Sequence, residues 1–314
     1  MIGAIIGDIA GSTYEFHSIK TKDFPLFAPG SNATDDSLMS IAVASALMQT
    51  GEGHDGFKRH VVTSMRQIAA KYPCPMGGYG GRFRHWLVSP HPRPYGSFGN
   101  GSAMRVSPCG DVATTLDEAL ELAKQSAEVT HNHPEGIRGA QAVAAAIVLA
   151  RTGESRDGIR SYIEQHFYPL YQTVDEIRPR YRFDETCQGT VPQAITAFLE
   201  SVSFEDALRT AVSLGGDCDT LTDITCAIAW PFYLRSGLDS TMVRLRDEAL
   251  ALLHDDLREI VIRWEERYGG YKTTTNNMAD WSEYFSTTLF LIPLMEGFSS
   301  MSALSALSFD SSAK

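Results

Sequence analysis

Apolar residues recur every three or four positions along most of this chain, a spacing that places them on one face of an α-helix. Ala and Leu, which favour helices, are frequent in the same stretches. No convincing run alternates apolar and polar residues as a half-buried β-strand does. The pattern therefore predicts an all-α fold. The predicted helices are Ser37 to Met48, Leu116 to Val129, Ile137 to Arg151, Pro192 to Val202, Phe204 to Leu214, Leu221 to Leu234 and Met242 to Tyr268.

Long connections rich in Gly and Pro separate some of these helices, notably Pro73 to Gly81 and Ser89 to Gly101. Their length is more typical of binding surfaces than of tight turns. No repeat or linker precedes about residue 270, so we expect one compact multi-helix domain over residues 1–270. Residues 271–314 are rich in Ser, Thr, Asn and Met, and we expect a C-terminal extension with one helix at Asp280 to Leu294 and a flexible end.

Composition narrows the class of protein. The chain has 314 residues, 43% hydrophobic and 21% charged, which is enough to bury a large core. Its formal net charge of -11 argues against wrapping a nucleic-acid backbone, which needs concentrated Lys and Arg. Five cysteines without a Cys-x-x-Cys pair argue against a disulfide framework and fit a reducing compartment. The apolar runs Met1 to Ile6 and Thr287 to Met295 are too short for a membrane span. We expect a cytoplasmic monomer that binds neither nucleic acid nor membrane.

A first acidic segment, Thr34, Asp35, Asp36 and Ser37, stands directly before an apolar helix. By itself it is more typical of a helix cap, because these side chains accept hydrogen bonds from free backbone N–H groups and complement the helix dipole. Two adjacent carboxylates repel each other, however, and a cation between them removes that repulsion.

A second segment, Gly215 to Thr220, repeats this chemistry before the stretch that starts at Leu221. Its two glycines permit a tight turn that can aim Asp217 and Asp219 at one point, while Thr220 adds a hydroxyl. A capped helix explains this segment alone as well. Hard oxygen ligands favour Mg²⁺, Mn²⁺ or Ca²⁺ over Zn²⁺. If the two segments meet in space, a two-metal site is the favoured interpretation.

Five motifs in a fixed order resemble those of the ADP-ribosylglycohydrolase family, which includes the dinitrogenase reductase-activating glycohydrolase. The resemblance covers about residues 1–240, and five ordered motifs are far more specific than any single one. The motifs are GDIAGSTYEF (Gly7 to Phe16), TDDSLM (Thr34 to Met39), GNGSAMRVSP (Gly99 to Pro108), VTHNHPEGIRGA (Val129 to Ala140) and SLGGDCDTL (Ser213 to Leu221).

The resemblance implies an all-α fold with two Mg²⁺ or Mn²⁺ ions in a cleft. Such ions can orient the distal ribose and activate water, and Asp36 or Asp217 would then accept the proton of that water. Glu15 matches an acidic residue that the family places beside the scissile bond as acid, base or gate. The implied metal ligands are Thr34, Asp35, Asp36, Asp217, Asp219 and Thr220.

The same resemblance implies contacts to the nucleotide. The small residues Gly99, Asn100, Gly101 and Ser102 would approach the diphosphate and ribose through backbone N–H groups. His131 would donate a hydrogen bond to ribose or phosphate oxygens. Two aromatic rings, those of Tyr79 and Phe98, are candidates to stack on adenine, although core packing is the commoner fate of an aromatic side chain. Met104 and Arg105 are expected to be structural.

Two further features qualify the family pattern. Gly3, Gly7 and Gly11 are spaced by four residues, which indicates close helix packing and does not match the nucleotide-binding pattern G-x-G-x-x-G. Asp223 stands at a position that is usually small and apolar in the family. This extra carboxylate could weaken the site by repulsion or hydrogen-bond a ligand from behind the metal-binding residues.

The predicted function is hydrolysis of the glycosidic bond between ADP-ribose and an acceptor, with arginine on a protein as the first choice. Serine-linked or small O-linked ADP-ribose compounds are alternatives, since variable loops contact the leaving group. A non-catalytic binding protein on the same scaffold would not need intact acidic segments. A metal-dependent phosphohydrolase would release AMP or phosphate in place of free ADP-ribose.

Overall fold

A computed structural model describes residues 1–51 and 53–269, and helices connected by loops make up this part of the chain. It forms no β-strand there, only isolated bridges between Thr34 and Met76 and between Gly99 and Thr186. The α-helices are α1 Ile2–Gly11, α2 Asp35–Thr50, α3 Phe57–Lys71, α4 Gly81–Val88, α5 Gly101–Met104, α6 Ser107–Val112, α7 Leu116–Glu128, α8 Pro134–Thr152, α9 Arg156–His166, α10 Val174–Ile177, α11 Cys187–Leu199, α12 Phe204–Val212, α13 Cys218–Leu234, α14 Ser240–Leu252 and α15 Asp255–Tyr268. The predicted all-α class is confirmed.

The centre of the fold is the pair α1 and α13, which pack closely along their length. Gly3, Gly7 and Gly11 all face the backbone of α13. A methyl group on Gly11 would lie 2.7 Å from the Cα of Asp219, far inside van der Waals contact. The glycine spacing therefore serves close helix packing, as the sequence predicted. It also ties the start of α13 to the end of α1.

Around this pair, α8 forms a second buried axis that contacts α5, α6, α7, α11 and α13. Its central residues are mostly alanines and are fully buried. Small side chains allow several helices to approach one axis closely. The loops and helix starts that precede α2, α5, α8 and α13 consequently converge, and they line the cavity described below.

Two predicted helix boundaries were wrong. The stretch from Met242 to Tyr268 is two helices, α14 and α15, because Leu253 and His254 adopt extended backbone angles. Asp255 and Asp256 then begin α15, where acidic side chains complement the helix dipole. Helix α11 begins at Cys187 and not at Pro192, since Thr186 caps it by accepting a hydrogen bond from the backbone N–H of Gly189.

The helix expected at Asp280 to Leu294 and the flexible end lie outside the described residues. Among the residues that are described, no helix combines the length and the apolar character needed to cross a bilayer.

Candidate active site

A cavity of about 560 Å³ opens where the two acidic segments meet the two Gly- and Pro-rich connections. This volume lies within the range of small-ligand pockets. Asp35 and Asp36 enter it from the start of α2, and Asp217, Asp219 and Thr220 enter from the start of α13. The structure thus brings together two segments that are far apart in sequence. The other predicted residues that line the cavity are Glu15, Tyr79, Gly99, Asn100, Gly101 and His131.

The start of α2 is held by Asp8, a fully buried residue of α1 that sequence reasoning missed as a site residue. Its carboxylate accepts hydrogen bonds from the backbone N–H of Thr34 at 3.0 Å and from that of Ser37 at 3.1 Å. It also accepts from the Thr34 hydroxyl at 2.7 Å and from the Ser37 hydroxyl. Asp8 therefore fixes the backbone that presents Asp35 and Asp36. The available signal was a charged residue inside the apolar run at the start of the chain.

The start of α13 is shaped by Gly215 and Gly216, whose φ angles of +66° and +80° are unfavourable for other residues. This turn aims Asp217 and Asp219 into the cavity. Asn100, from the loop before α5, donates a 2.6 Å hydrogen bond to Asp217 through its side-chain amide. This hydrogen bond links the glycine-containing loop to the second acidic segment.

Burial and mutual repulsion dominate the electrostatics of these carboxyl groups. Burial, followed by the charge of Asp219, raises the pKa of both Asp35 and Asp36 well above the usual range. Burial also raises the pKa of Asp217 to about 7, although the hydrogen bond from Asn100 opposes this shift. Oδ2 of Asp36 is buried and has no hydrogen-bond partner. Such a group is an acceptor that a cation can satisfy.

Glu15 lies at the edge of this acidic set. One oxygen each from Glu15, Asp217 and Asp219 lie within 4.8 Å of one another, close enough to hold one metal ion. Burial, followed by the charge of Asp219, raises the pKa of Glu15 to about 8. The Glu15 carboxyl rests against Gly77, where a methyl group would lie 2.9 Å from Oε2. The first Gly- and Pro-rich connection thus forms the wall behind Glu15.

At the other side of the cavity, His131 is positioned by Arg105 and Thr130. The buried Arg105 guanidinium donates hydrogen bonds to the Gly101 carbonyl at 2.7 Å and to the Thr130 hydroxyl at 2.9 Å. The Thr130 oxygen lies 2.7 Å from Nδ1 of His131. Burial lowers the pKa of His131 well below its usual value, so the ring is neutral. If the Thr130 hydroxyl donates to Nδ1, the ring proton lies on Nε2, beside Gly101, where it can donate toward the cavity.

Comparison with known proteins identifies the family. The family model described as ADP-ribosylglycohydrolase matches residues 1–271. The chain belongs to the ADP-ribosylglycohydrolase family. It is therefore a hydrolase of glycosidic bonds.

Curated relatives extend the comparison. ADP-ribosylhydrolase ARH3 of Homo sapiens is 26% identical over 313 residues, which cover 76% of this chain and 85% of that protein. ADP-ribosylhydrolase ARH3 of Bos taurus is 27% identical over 309 residues, with 74% and 83% covered. A solved structure titled "ADP-ribosylglycohydrolase-related protein complex" shares the fold, with a TM-score of 0.60 at 20% identity over 84% of this chain and 96% of that chain.

Within this ADP-ribosylglycohydrolase, three predicted site residues do not line the cavity. The Ser102 hydroxyl is fully buried and donates a 2.7 Å hydrogen bond to the Gly136 carbonyl, so it points away from the cavity. The Phe98 ring is 43% exposed and packs edge-on against His133. Thr34 is fully buried, and its hydroxyl accepts from Asp36 N–H while it donates to Asp8. Contacts between these three side chains and a ligand therefore stay predictions, and each side chain would have to move to make them.

Tyr79 does line the cavity, but its position differs from that expected of an adenine platform. The ring is 4% exposed and packs edge-on against Phe83, while its hydroxyl donates to the Tyr72 carbonyl at 2.9 Å. Burial, followed by the charge of Asp35, raises the pKa of Tyr79. Tyr79 therefore supports the acidic half of the site, where the ribose is expected.

Asp223 lies behind the site at the packed face of α13. It is fully buried, and neither of its carboxylate oxygens has a hydrogen-bond partner. Burial, followed by the charge of Asp8, raises the pKa of Asp223 well above its usual value. It does not line the cavity, so direct hydrogen bonding to a ligand is not supported.

The cavity-lining residues that the sequence analysis did not select include Phe16, Arg82, Phe183 and Glu185. Arg82 stacks over Tyr95, with the guanidinium carbon 4.9 Å from the ring centroid, and its charge contributes to the lowered pKa of His131 after burial and Arg105. Phe16 ends the motif GDIAGSTYEF, which does not show that its ring reaches the cavity, and no motif marks Arg82, Phe183 or Glu185.

Proposed function

We propose that this ADP-ribosylglycohydrolase uses two divalent cations, Mg²⁺ or Mn²⁺, to release ADP-ribose from an arginine side chain of a protein. One observation carries the proposal: the two acidic helix starts face one cavity of nucleotide size. Buried carboxylates this close together destabilise a fold unless cations or protons neutralise them.

The donor set fits such ions. Asp35, Asp36, Asp217 and Asp219 supply hard oxygen donors, and Oδ2 of Asp36 is a buried acceptor without a protein partner. Thr220 adds a hydroxyl at the cavity wall. When bound, the cations would supply Lewis acidity and neutralise the repulsion between these groups.

The protein side chains would bind the substrate and move its protons. The backbone N–H of Gly101 and Nε2–H of His131 would hold the diphosphate, since the backbone N–H groups of Gly99 and Asn100 already donate to Ser97 Oγ and to the Glu185 carbonyl. Asp36 or Asp217 would accept a proton from the attacking water as its oxygen bonds to the anomeric carbon. Glu15, at the edge of the acidic set, would move a proton to the leaving nitrogen as the glycosidic bond breaks.

The polarity of the cavity supports arginine as the acceptor. Arg82 and His131 lie on the side of the glycine loop, which favours the anionic diphosphate. Glu15 and Glu185 lie close to Asp217, because the charges of both contribute to the raised pKa of Asp217 after burial. A cationic leaving group is favoured on this acidic side, and the arginine guanidinium is permanently charged whereas a serine hydroxyl is neutral.

Product analysis tests the proposal. Incubation with Mg²⁺ and ADP-ribosyl peptides linked through arginine or serine should release intact ADP-ribose from the arginine peptide, as read by mass spectrometry. Asp35→Ala and Asp219→Ala should abolish turnover without unfolding the protein, and EDTA should do so reversibly. Asp247→Ala, which removes an exposed carboxylate elsewhere, is the matched control.

Three results would contradict the proposal. Full turnover by metal-free Asp35→Ala protein would show that the acidic segments are not required. Release of AMP or phosphate would indicate a phosphohydrolase. Cleavage of the serine peptide alone would refute the arginine acceptor and leave glycosidic hydrolysis intact.

A further inference from the structure

Two exposed phenyl rings stack on each other at the mouth of the cavity. Phe16 is 66% exposed and Phe183 is 46% exposed, although both are large apolar side chains. Their ring centroids are 6.1 Å apart and their planes are inclined by only 20°. Phe16 directly follows Glu15, so the pair lies on the acidic side of the cavity. Exposed aromatic rings grouped at a cavity mouth are typical of a binding surface.

The loops that carry these rings are anchored to each other. Lys20, four residues after Phe16, donates hydrogen bonds through Nζ to the carbonyls of Tyr181 at 3.0 Å and of Leu214. Ser18 accepts a 3.0 Å hydrogen bond from the backbone N–H of Gly216. The loop after Glu15 is therefore tied both to the loop of Phe183 and to the turn before Asp217. The stacked pair is held in a fixed place relative to the acidic set.

Glu185 places a carboxylate beside this aromatic pair. Its backbone carbonyl accepts a 2.7 Å hydrogen bond from the backbone N–H of Asn100, which fixes the segment against the glycine loop. Its side chain is exposed and lines the cavity. After burial and the other carboxyl groups, the charge of Glu185 contributes to the raised pKa of Glu15, which indicates that the two carboxyl groups are near each other.

We propose that Phe16, Phe183 and Glu185 form the acceptor subsite, which holds the guanidinium of the ADP-ribosylated arginine over an aromatic ring face and against a carboxylate. A guanidinium is planar, permanently charged and weakly hydrated, so it stacks on aromatic rings and pairs with carboxylates. A serine acceptor is neutral and has no planar group, so it gains neither interaction. The inference rests on the proposed arginine-releasing function and assigns its specificity to named side chains.

The test separates acceptor binding from nucleotide binding. Phe183→Leu keeps an apolar side chain but removes the ring, Phe183→Tyr keeps the ring, and Glu185→Gln removes the charge. KM for an arginine-linked ADP-ribosyl peptide is measured beside Ki for free ADP-ribose, which lacks an acceptor. Tyr171→Leu, at an 87% exposed ring that does not line this cavity, is the control for loss of a surface aromatic.

Phe183→Leu should raise KM about 3- to 10-fold, and Glu185→Gln should raise it about 2- to 5-fold, because the carboxylate is exposed. Phe183→Tyr should restore a KM close to that of the wild type. Ki for ADP-ribose should change less than about twofold in each variant, because it makes no acceptor contact. These outcomes together would support the subsite.

Parallel rises in KM and Ki would overturn the inference, because they would indicate general damage to the cavity. An unchanged KM in both Phe183→Leu and Glu185→Gln would also overturn it. Cleavage of only the serine-linked peptide by the wild type would overturn the subsite while glycosidic hydrolysis stands. Failure of the wild type on both peptides would instead refute the proposed function itself.

Discussion

Replacing Gly11 by Ala tests whether the contact between α1 and α13 sets the geometry of the site. The added methyl group would lie 2.7 Å from the Cα of Asp219, whereas carbon atoms in contact prefer about 3.5 to 4.0 Å. The two helices must therefore separate by roughly 1 Å at the residue that presents a carboxylate to the cavity. A displacement of this size can lower turnover about 100-fold.

The same overpacking should destabilise the fold by about 1 to 3 kcal/mol, which corresponds to a fall in Tm of about 2 to 12 °C. Gly3→Ala is the matched control, because Gly3 packs against the same helix about 12 Å from Gly11 along α1. It should lower Tm at least as much, because its methyl group would lie closer still to a backbone atom, the Cys226 carbonyl oxygen, and it should lower turnover much less. Tm is measured by calorimetry, and kcat by release of ADP-ribose. Turnover of Gly11→Ala within threefold of the wild type would refute the reasoning.

Three further predictions concern the walls of the cavity. Gly77→Ala should reduce kcat roughly tenfold more than Gly78→Ala, because both glycines have positive φ but only Gly77 would push on Glu15; equal losses would contradict this. In metal-free protein, burial raises the pKa of Asp217 to about 7 in the folded state, whereas it is about 4 in the unfolded chain. The free energy of unfolding should therefore fall as the pH rises from about 4 to about 7. Asp217→Asn should flatten that dependence in thermal unfolding at pH 5.5 and 8.5, and an unchanged slope would oppose it. Arg105→Lys should lower the free energy of unfolding in urea by about 3 kcal/mol, because the ammonium cannot bridge the three acceptors that the buried guanidinium reaches; a loss below about 1 kcal/mol would disagree.

Much of the fold was predictable because helix periodicity is a local property. The glycines of α1 could be assigned to helix packing from their spacing alone, and the structure confirms it. The error at Met242 to Tyr268 arose because apolar periodicity continues across two helices, whereas the break depends on backbone angles at Leu253 and His254. Asp255 and Asp256 indicate the start of a helix, but the continuing apolar periodicity favoured a single helix across this stretch.

The candidate site was predictable where ordered motifs carry it and not where loops meet in space. Asp35 and Asp219 belong to motifs that stand out in the sequence, and both line the cavity. Phe16 and Phe183 lie together because hydrogen bonds of Lys20 join their two loops. No pattern in the sequence predicts this contact. Ser102 has the residue type expected of a ligand contact, yet its hydroxyl is used by a neighbouring carbonyl. Residue type indicates chemistry, and tertiary contacts decide which side chains are free to perform it.

Titration of metal-stripped protein with Mn²⁺, followed by electron paramagnetic resonance and calorimetry, tests the central claim most directly. The convergence of the two acidic segments predicts two bound ions per chain, close enough to couple magnetically. Asp36→Asn and Asp219→Asn should each weaken this binding strongly, while Asp247→Asn should leave it unchanged. Absence of Mn²⁺ binding, or binding that survives both cavity substitutions, would contradict the account.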